Sequence, residues 1–207
     1  PTSRITLGTC RLPGWSEDVQ CGTLEVFENR KTRAGRRISL RIVVLPSRNR
    51  DAKSEPVFYF AGGPGGSAVE TVTRAGSKFL EGLRRDHDLV FVDQRGTGGS
   101  NALPCDLTGA ATSMAGTFAE PFSIDRVREG LRLLEGKADL TLYSTAIAMA
   151  DLDDVRAGLG YDRINLYGGS YGSTAALTYI KLFGQHVRSA TLIRVAPPEA
   201  HYPLPIS

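Results

Sequence analysis

Three cysteines, three histidines and a single tryptophan are all that 207 residues hold of these types, and each scarcity excludes something. There is no CxxC pair and no histidine beside a cysteine, which argues against a structural metal site. No apolar run approaches the roughly 20 residues of a membrane span, and no signal-peptide pattern opens at Pro1. Charge of one sign is lacking too: 25 basic and 22 acidic residues are interleaved, for a net charge of +3. Such a surface gives no reason to expect nucleic acid or a membrane as partner. The one basic cluster, Arg30, Lys31, Arg33, Arg36 and Arg37, surrounds Gly35 between two strand-like runs and reads as a solvated hairpin loop.

What is present reads as an ordinary globular protein, 41% apolar and 8% aromatic. Cys10 and Cys21 flank a short polar loop containing Pro13, Gly14 and Trp15. Their spacing suits a disulfide, worth roughly 3 kcal/mol on the chain-entropy model. A cytosolic protein would not keep it, so a secreted or periplasmic location is expected. Cys105 is left over, either buried and inert or awaiting a partner outside these residues.

Residues 22–28 and 38–45 alternate apolar and polar side chains and predict two antiparallel strands. Residues 57–60 and 89–92 are short runs apolar on both faces, each stopped by a glycine turn, and predict buried strands. A helix fits between them, at about 72–85. The stretch from Pro104 reads as a loop leading into a helix near 125–134. Ala148, Leu152, Val155 and Leu159 fall at helical spacing within 145–159. Asp151, Asp153 and Asp154 then read as a solvated helix face with local ion pairs rather than a metal site. Gly160 ends that helix, 164–167 is another buried strand, a helix follows Gly168–Gly172, and a last strand runs at about 190–195. Strand and helix alternate, which means an α/β fold with a mostly parallel sheet and helices on both faces.

Gly168-Gly169-Ser170-Tyr171-Gly172 fits G-x-S-x-G, the nucleophile elbow, and lies between a predicted strand and a predicted helix as that motif requires. Neighbours without Cβ atoms let the chain turn sharply enough to raise Ser170 above the sheet. The amides opening the following helix face developing negative charge. The loop Gly62-Gly63-Pro64-Gly65-Gly66-Ser67 follows an earlier strand, where an α/β-hydrolase fold places the second donor of its oxyanion hole. The donors expected are the amides of Tyr171 and of Gly62 or Gly63, since Pro64 has none to give. A phosphate cradle fails on detail, because neither G-x-x-x-x-G-K-[ST] nor G-x-G-x-x-G can be read across the glycine loops.

These segments, with Asp93-Gln94-Arg95-Gly96-Thr97-Gly98, resemble the three signatures of the prolyl aminopeptidase and tripeptidyl aminopeptidase group of α/β hydrolases, in order and in spacing. Cys21-Gly22-Thr23-Leu24-Glu25-Val26 and Val195-Ala196-Pro197-Pro198 extend the resemblance over nearly the whole chain, closest to the exported tripeptidyl branch. Ala61 stands where many prolyl aminopeptidases have histidine, which again favours that branch. Ile193-Arg194 stands where the branch usually has Asp-Gly. The resemblance implies a serine peptidase with a Ser-Asp-His triad and no metal or organic cofactor. Such an enzyme removes short N-terminal segments from peptides and reads the free amine with acidic groups of a cap domain. It also implies that Asp93 and Arg95 form a supporting turn, held by an ion pair between them.

The whole chain, 1–207, is therefore expected to be the N-terminal part of an α/β-hydrolase catalytic domain. Residues 1–21 would be a disulfide-closed leader loop, 22–46 an antiparallel strand pair and 57–195 the alternating core, with the sheet cut short after its sixth strand. In this fold the acid and histidine follow the nucleophile. His87 precedes Ser170, and His186 lies a helix length away, roughly 20 Å at 1.5 Å per residue. His201 beside Glu199 has the right order but sits in a proline-rich tail. The triad acid and histidine are thus expected outside this chain, in a missing C-terminal part of the same enzyme. A carboxylesterase with a peptide-free, ester substrate and a non-catalytic binding scaffold are the competing readings.

Overall fold

The structure, a computed structural model, describes residues 4–49, 51, 54–103 and 124–196. Its centre is a seven-stranded sheet in the order β1-β2-β3-β5-β4-β6-β7. The strands are β1 (Gly8–Cys10), β2 (Val19–Asn29), β3 (Ala34–Leu45), β4 (Val57–Phe60), β5 (Leu89–Val92), β6 (Ile164–Gly169) and β7 (Val187–Ile193). β4 to β7 run parallel to their neighbours in that group. β3 is antiparallel to β5 and β2 antiparallel to β3, so β2 points the same way as the parallel four.

β2 and β3 form the expected hairpin, longer than the alternation suggested. The Asn29 side chain accepts from the amides of Lys31 and Thr32, and Arg33 takes a positive φ of 50° to close the turn. The basic residues around it are not merely solvated. Arg30 reaches Asp151 and Asp154, and Arg36 reaches Glu28.

The helices are α1 (Ala68–Ala75), α2 (Glu81–Arg84), α3 (Ile124–Leu134), α4 (Thr145–Gly158) and α5 (Tyr171–Phe183). The single helix expected at 72–85 is two, because Gly76 turns the chain at φ 83° and ends α1. Helices cover both faces of the sheet. Ala148, Met149, Leu152 and Val155 of α4 and Ala175, Ala176 and Tyr179 of α5 pack on Ile38, Leu40, Ile42, Val90 and Leu166. Val69 and Val72 of α1 pack with Leu12 and Trp15 on Val43, Leu45, Leu89 and Phe91. Two findings revise the sequence reading at the ends of the sheet. The leader carries a strand of its own, β1, joined to β2 by the Cys10–Cys21 disulfide. Among the described residues the last strand is consequently the seventh rather than the sixth, and it starts earlier, at Val187, with most of its side chains exposed. Among the described residues no helix is long and apolar enough to cross a membrane.

Strand order fixes where a site can lie. From β4 the chain crosses to β5 on one side, then returns over β4 to reach β6 on the other. The crevice at the carboxyl ends of β4 and β6 is the switch point at which sheets of this kind bind ligands. Both glycine motifs open there.

Candidate active site

Ser170 follows β6 directly and precedes the first residue of α5, at φ 54° and ψ −128°. A positive φ on a residue with a Cβ is strained, and the surroundings must hold it. They do so with backbone bonds. The Ser170 amide donates to the Ile193 carbonyl at 3.0 Å, and the Ser170 carbonyl accepts from the Ser173 amide at 2.8 Å and the Ser173 hydroxyl at 2.6 Å. Two glycines make the turn sterically possible. A Cβ on Gly168 would strike the Gly172 carbonyl, and one on Gly172 would strike the Phe60 carbonyl of β4. Ser170 is exposed, and among the described residues its hydroxyl has no hydrogen-bond partner.

Gly62 reaches the same place from β4. A Cβ there would lie 3.3 Å from the Gly169 carbonyl and 3.6 Å from the Ser170 Cβ. The loop folds tightly on itself, with the Gly66 amide donating to the Gly62 carbonyl and Gly63 at φ 128°. Tyr171 begins α5, and its hydroxyl meets that of Thr145, at the start of α4, at 2.9 Å. The structure thus brings Ser170, Tyr171, Gly62 and Gly63 to one end of two adjacent strands.

Asp93 and Arg95 do not pair with each other. Asp93 is fully buried and accepts from the Ser67 hydroxyl at 2.6 Å and from the amides of Val69 and Gly99. Arg95 turns the other way, to Asp151 on α4, and also donates to the carbonyls of Glu28 and Leu142. A turn closed by the Thr97 amide on the Gln94 carbonyl holds Arg95 at its corner and leaves Asp93 before it, so the two side chains reach different partners. The three aspartates are not the solvated face expected, although Asp153 makes the expected local ion pair with Arg156. Asp151 is buried, and Asp153 accepts from Arg156, Tyr179 and His186. Burial pushes the Asp151 carboxyl above its ordinary value, although Arg95 and Arg30 oppose the shift. Near them, burial and the Glu28 carboxylate push the Tyr143 hydroxyl up to about 12.

Neither described histidine approaches Ser170. His87 stands just before β5, bonded through Nδ1 to the Glu55 carbonyl, and His186 stands just before β7, 2.8 Å from Asp153. Both lie where parallel strands begin, whereas Ser170 lies where one ends, a separation of about 20 Å for a six-residue strand. His201, Glu199 and Cys105 lie outside the described residues. Sequence reading missed Ser67 as the cap of α1, although Ser67-Ala68-Val69-Glu70 carries the S-x-x-E pattern of a capping box.

A family model described as alpha/beta hydrolase fold matches residues 55–204. The chain is 28% identical over 193 residues to a tripeptidyl aminopeptidase of Streptomyces coelicolor, covering 87% of this chain and 36% of that protein. It is 30% identical over 154 residues to serine protease Hip1 of Mycobacterium tuberculosis, covering 67% of this chain and 29% of that one. The chain spans about a third of the length of these curated relatives. A solved "probable hydrolytic enzyme" from Pseudomonas aeruginosa shares the fold, with a TM-score of 0.54 at 16% identity over 86% of this chain and 42% of its own. The matched region runs from the start of β4 past β7 and takes in both glycine motifs and the exposed serine between β6 and α5; the chain belongs to the alpha/beta hydrolase fold family.

Proposed function

We propose that this chain is the nucleophile-bearing, N-terminal part of the catalytic domain of an exported serine peptidase that releases short N-terminal segments from peptides. Ser170 Oγ attacks the scissile carbonyl carbon and gives its proton to a histidine imidazole. The carbonyl electron pair moves onto oxygen, and the amides of Tyr171 and of Gly62 or Gly63 stabilise it, at about 3 to 4 kcal/mol each. Collapse of this intermediate breaks the C–N bond, the imidazole returns the proton to the leaving amine, and an acyl-enzyme remains for water to cleave.

The observation that carries this reading is the exposed Ser170 at positive φ with the Gly62 backbone beside it. The peptidase names of the two relatives support peptide as substrate. The Cys10–Cys21 disulfide supports an oxidising compartment. The positions of His87 and His186 support a triad histidine and acid drawn from polypeptide beyond these residues.

The test is fluorophosphonate labelling of the full-length polypeptide carrying this chain, with turnover of a tripeptidyl-coumarin set against short p-nitrophenyl esters. Label is expected on Ser170 alone, with Ser67, Ser100 and Ser173 unmodified because all three are buried. Labelling that survives Ser170→Ala would overturn the assignment. Turnover of the esters without the peptide would replace peptidase by carboxylesterase.

A further inference from the structure

We infer that Asp93 is a positioning residue for the oxyanion loop, acting through Ser67. The inference rests on the serine-hydrolase reading above and adds to it what holds the second amide donor in place.

The loop 62–66 holds four glycines and a proline, so it has almost no side chains with which to anchor itself. Its geometry is set by its two ends. One end is β4. The other is Ser67, whose hydroxyl accepts from the Glu70 amide at 2.9 Å, capping α1, and donates to Asp93 Oδ1 at 2.6 Å. The same Oδ1 accepts from the Val69 amide at 3.0 Å, so the carboxylate grips the first turn of α1 at two points. Oδ2 accepts from the Gly99 amide at 2.9 Å, tying that turn to the loop after β5.

Asp93 itself cannot shift. Its amide donates to the Arg41 carbonyl, and its carbonyl accepts from the Ser100 hydroxyl, which in turn accepts from the Arg41 amide. A Cβ on Gly98 would strike both the Asp93 carboxylate and the Ser67 hydroxyl, so nothing lies between them. The carboxylate is buried and forms no salt bridge among the described residues. A buried charge without a counter-ion is costly unless neutral donors satisfy it, and here every donor belongs to a loop or helix start at the switch-point crevice. Replacing the carboxylate loosens the far end of the glycine loop. A displacement near 1 Å at a reacting centre costs about a hundredfold in rate.

The experiment compares Asp93→Asn, Ser67→Ala and Ser67→Thr in the full-length polypeptide, with Ser170→Ala as reference. Asp93→Asn and Ser67→Ala are expected to lower kcat about 30-fold or more while KM moves less than about threefold. Affinity for a peptide aldehyde, which forms an oxyanion on Ser170, should fall by the same factor as kcat. Affinity for the released tripeptide should not change. Ser67→Thr, which keeps the hydroxyl, should restore most of the rate. If Asp93→Asn fails to fold, the Ser67 pair decides. Unchanged kcat and aldehyde affinity in a Ser67→Ala enzyme whose turnover still needs Ser170 would overturn the inference alone. Wild-type turnover that survives Ser170→Ala would overturn the serine-hydrolase reading with it.

Discussion

Arg95 meets Asp151 with two parallel bonds, Nε to Oδ2 at 2.6 Å and Nη2 to Oδ1 at 2.8 Å, and both side chains are excluded from solvent. The pair ties the turn after β5 to α4, the helix whose first residue, Thr145, bonds the hydroxyl of Tyr171.

Breaking this pair should cost more than its formation contributes. Removing Asp151 leaves Arg95 as a buried, uncompensated charge, so Asp151→Leu is expected to lose about 3 to 5 kcal/mol, and Arg95→Met less, because Arg30 still pairs with Asp151. The double substitution should lose less than the sum of the two. Urea denaturation of the three variants measures it; single variants within about 1 kcal/mol of wild type would refute the argument.

Gly172 is expected to tolerate no side chain. Its missing Cβ is what lets α5 sit against the Phe60 carbonyl, and overpacking of this kind costs about 1 to 3 kcal/mol. Gly172→Ala should lower the melting temperature and slow fluorophosphonate labelling of Ser170. Gly184→Ala, where a Cβ meets open space, is the control and should change neither.

Arg194 occupies a left-handed conformation, φ 50°, on an exposed residue. This is the position where the tripeptidyl branch usually has glycine, so the backbone shape persists without the residue suited to it. Arg194→Gly should stabilise the protein by roughly 1 kcal/mol. Arg194→Ala should give no such gain, because alanine meets the same steric conflict. Melting curves of the two variants separate backbone strain from loss of charge.

Burial raises the Asp153 carboxyl, but hydrogen bonds from Arg156, Tyr179 and His186 outweigh it and hold the group below its ordinary value. The unfolded value is about 3.9. This carboxylate therefore contributes stability above about pH 4 and loses it as pH falls through the lower folded value. Melting temperatures measured from pH 6 to pH 2 should fall more steeply for wild type than for Asp153→Asn. Parallel curves would show that Asp153 carries none of the acid sensitivity.

The parts of this fold legible in the sequence are those where backbone geometry dictates composition. Gly168 and Gly172 are glycines because carbonyls occupy the space of their side chains, so the motif around Ser170 announces its own turn. Asp151 was not legible, for the opposite reason. It stands three residues after Ala148 and four before Val155, on the buried stripe of α4, but its partner Arg95 is 56 residues away. Charge read along one helix suggests a solvated face; only the folded chain shows the guanidinium that lets the carboxylate be buried. The Asp93 carboxylate escaped in the same way, since pairing it with Arg95 assumed that residues two apart stay on one side of a chain that in fact turns between Gln94 and Thr97. β1 is three residues long, too short to leave a period, and the disulfide rather than a hydrophobic pattern marks its place.

Trp15 is the sole tryptophan of these 207 residues, buried in the disulfide-closed loop, with its indole Nε1 donating to the Thr73 carbonyl on α1. Within these residues a single indole, excited selectively beyond the tyrosine band, thus reports on the docking of the leader against the helix that Ser67 caps. Its emission should shift to the red when that contact opens, while circular dichroism follows the sheet and helices as a whole. Comparing the two signals during unfolding resolves, without any added label, whether α1 and the leader detach before the sheet gives way.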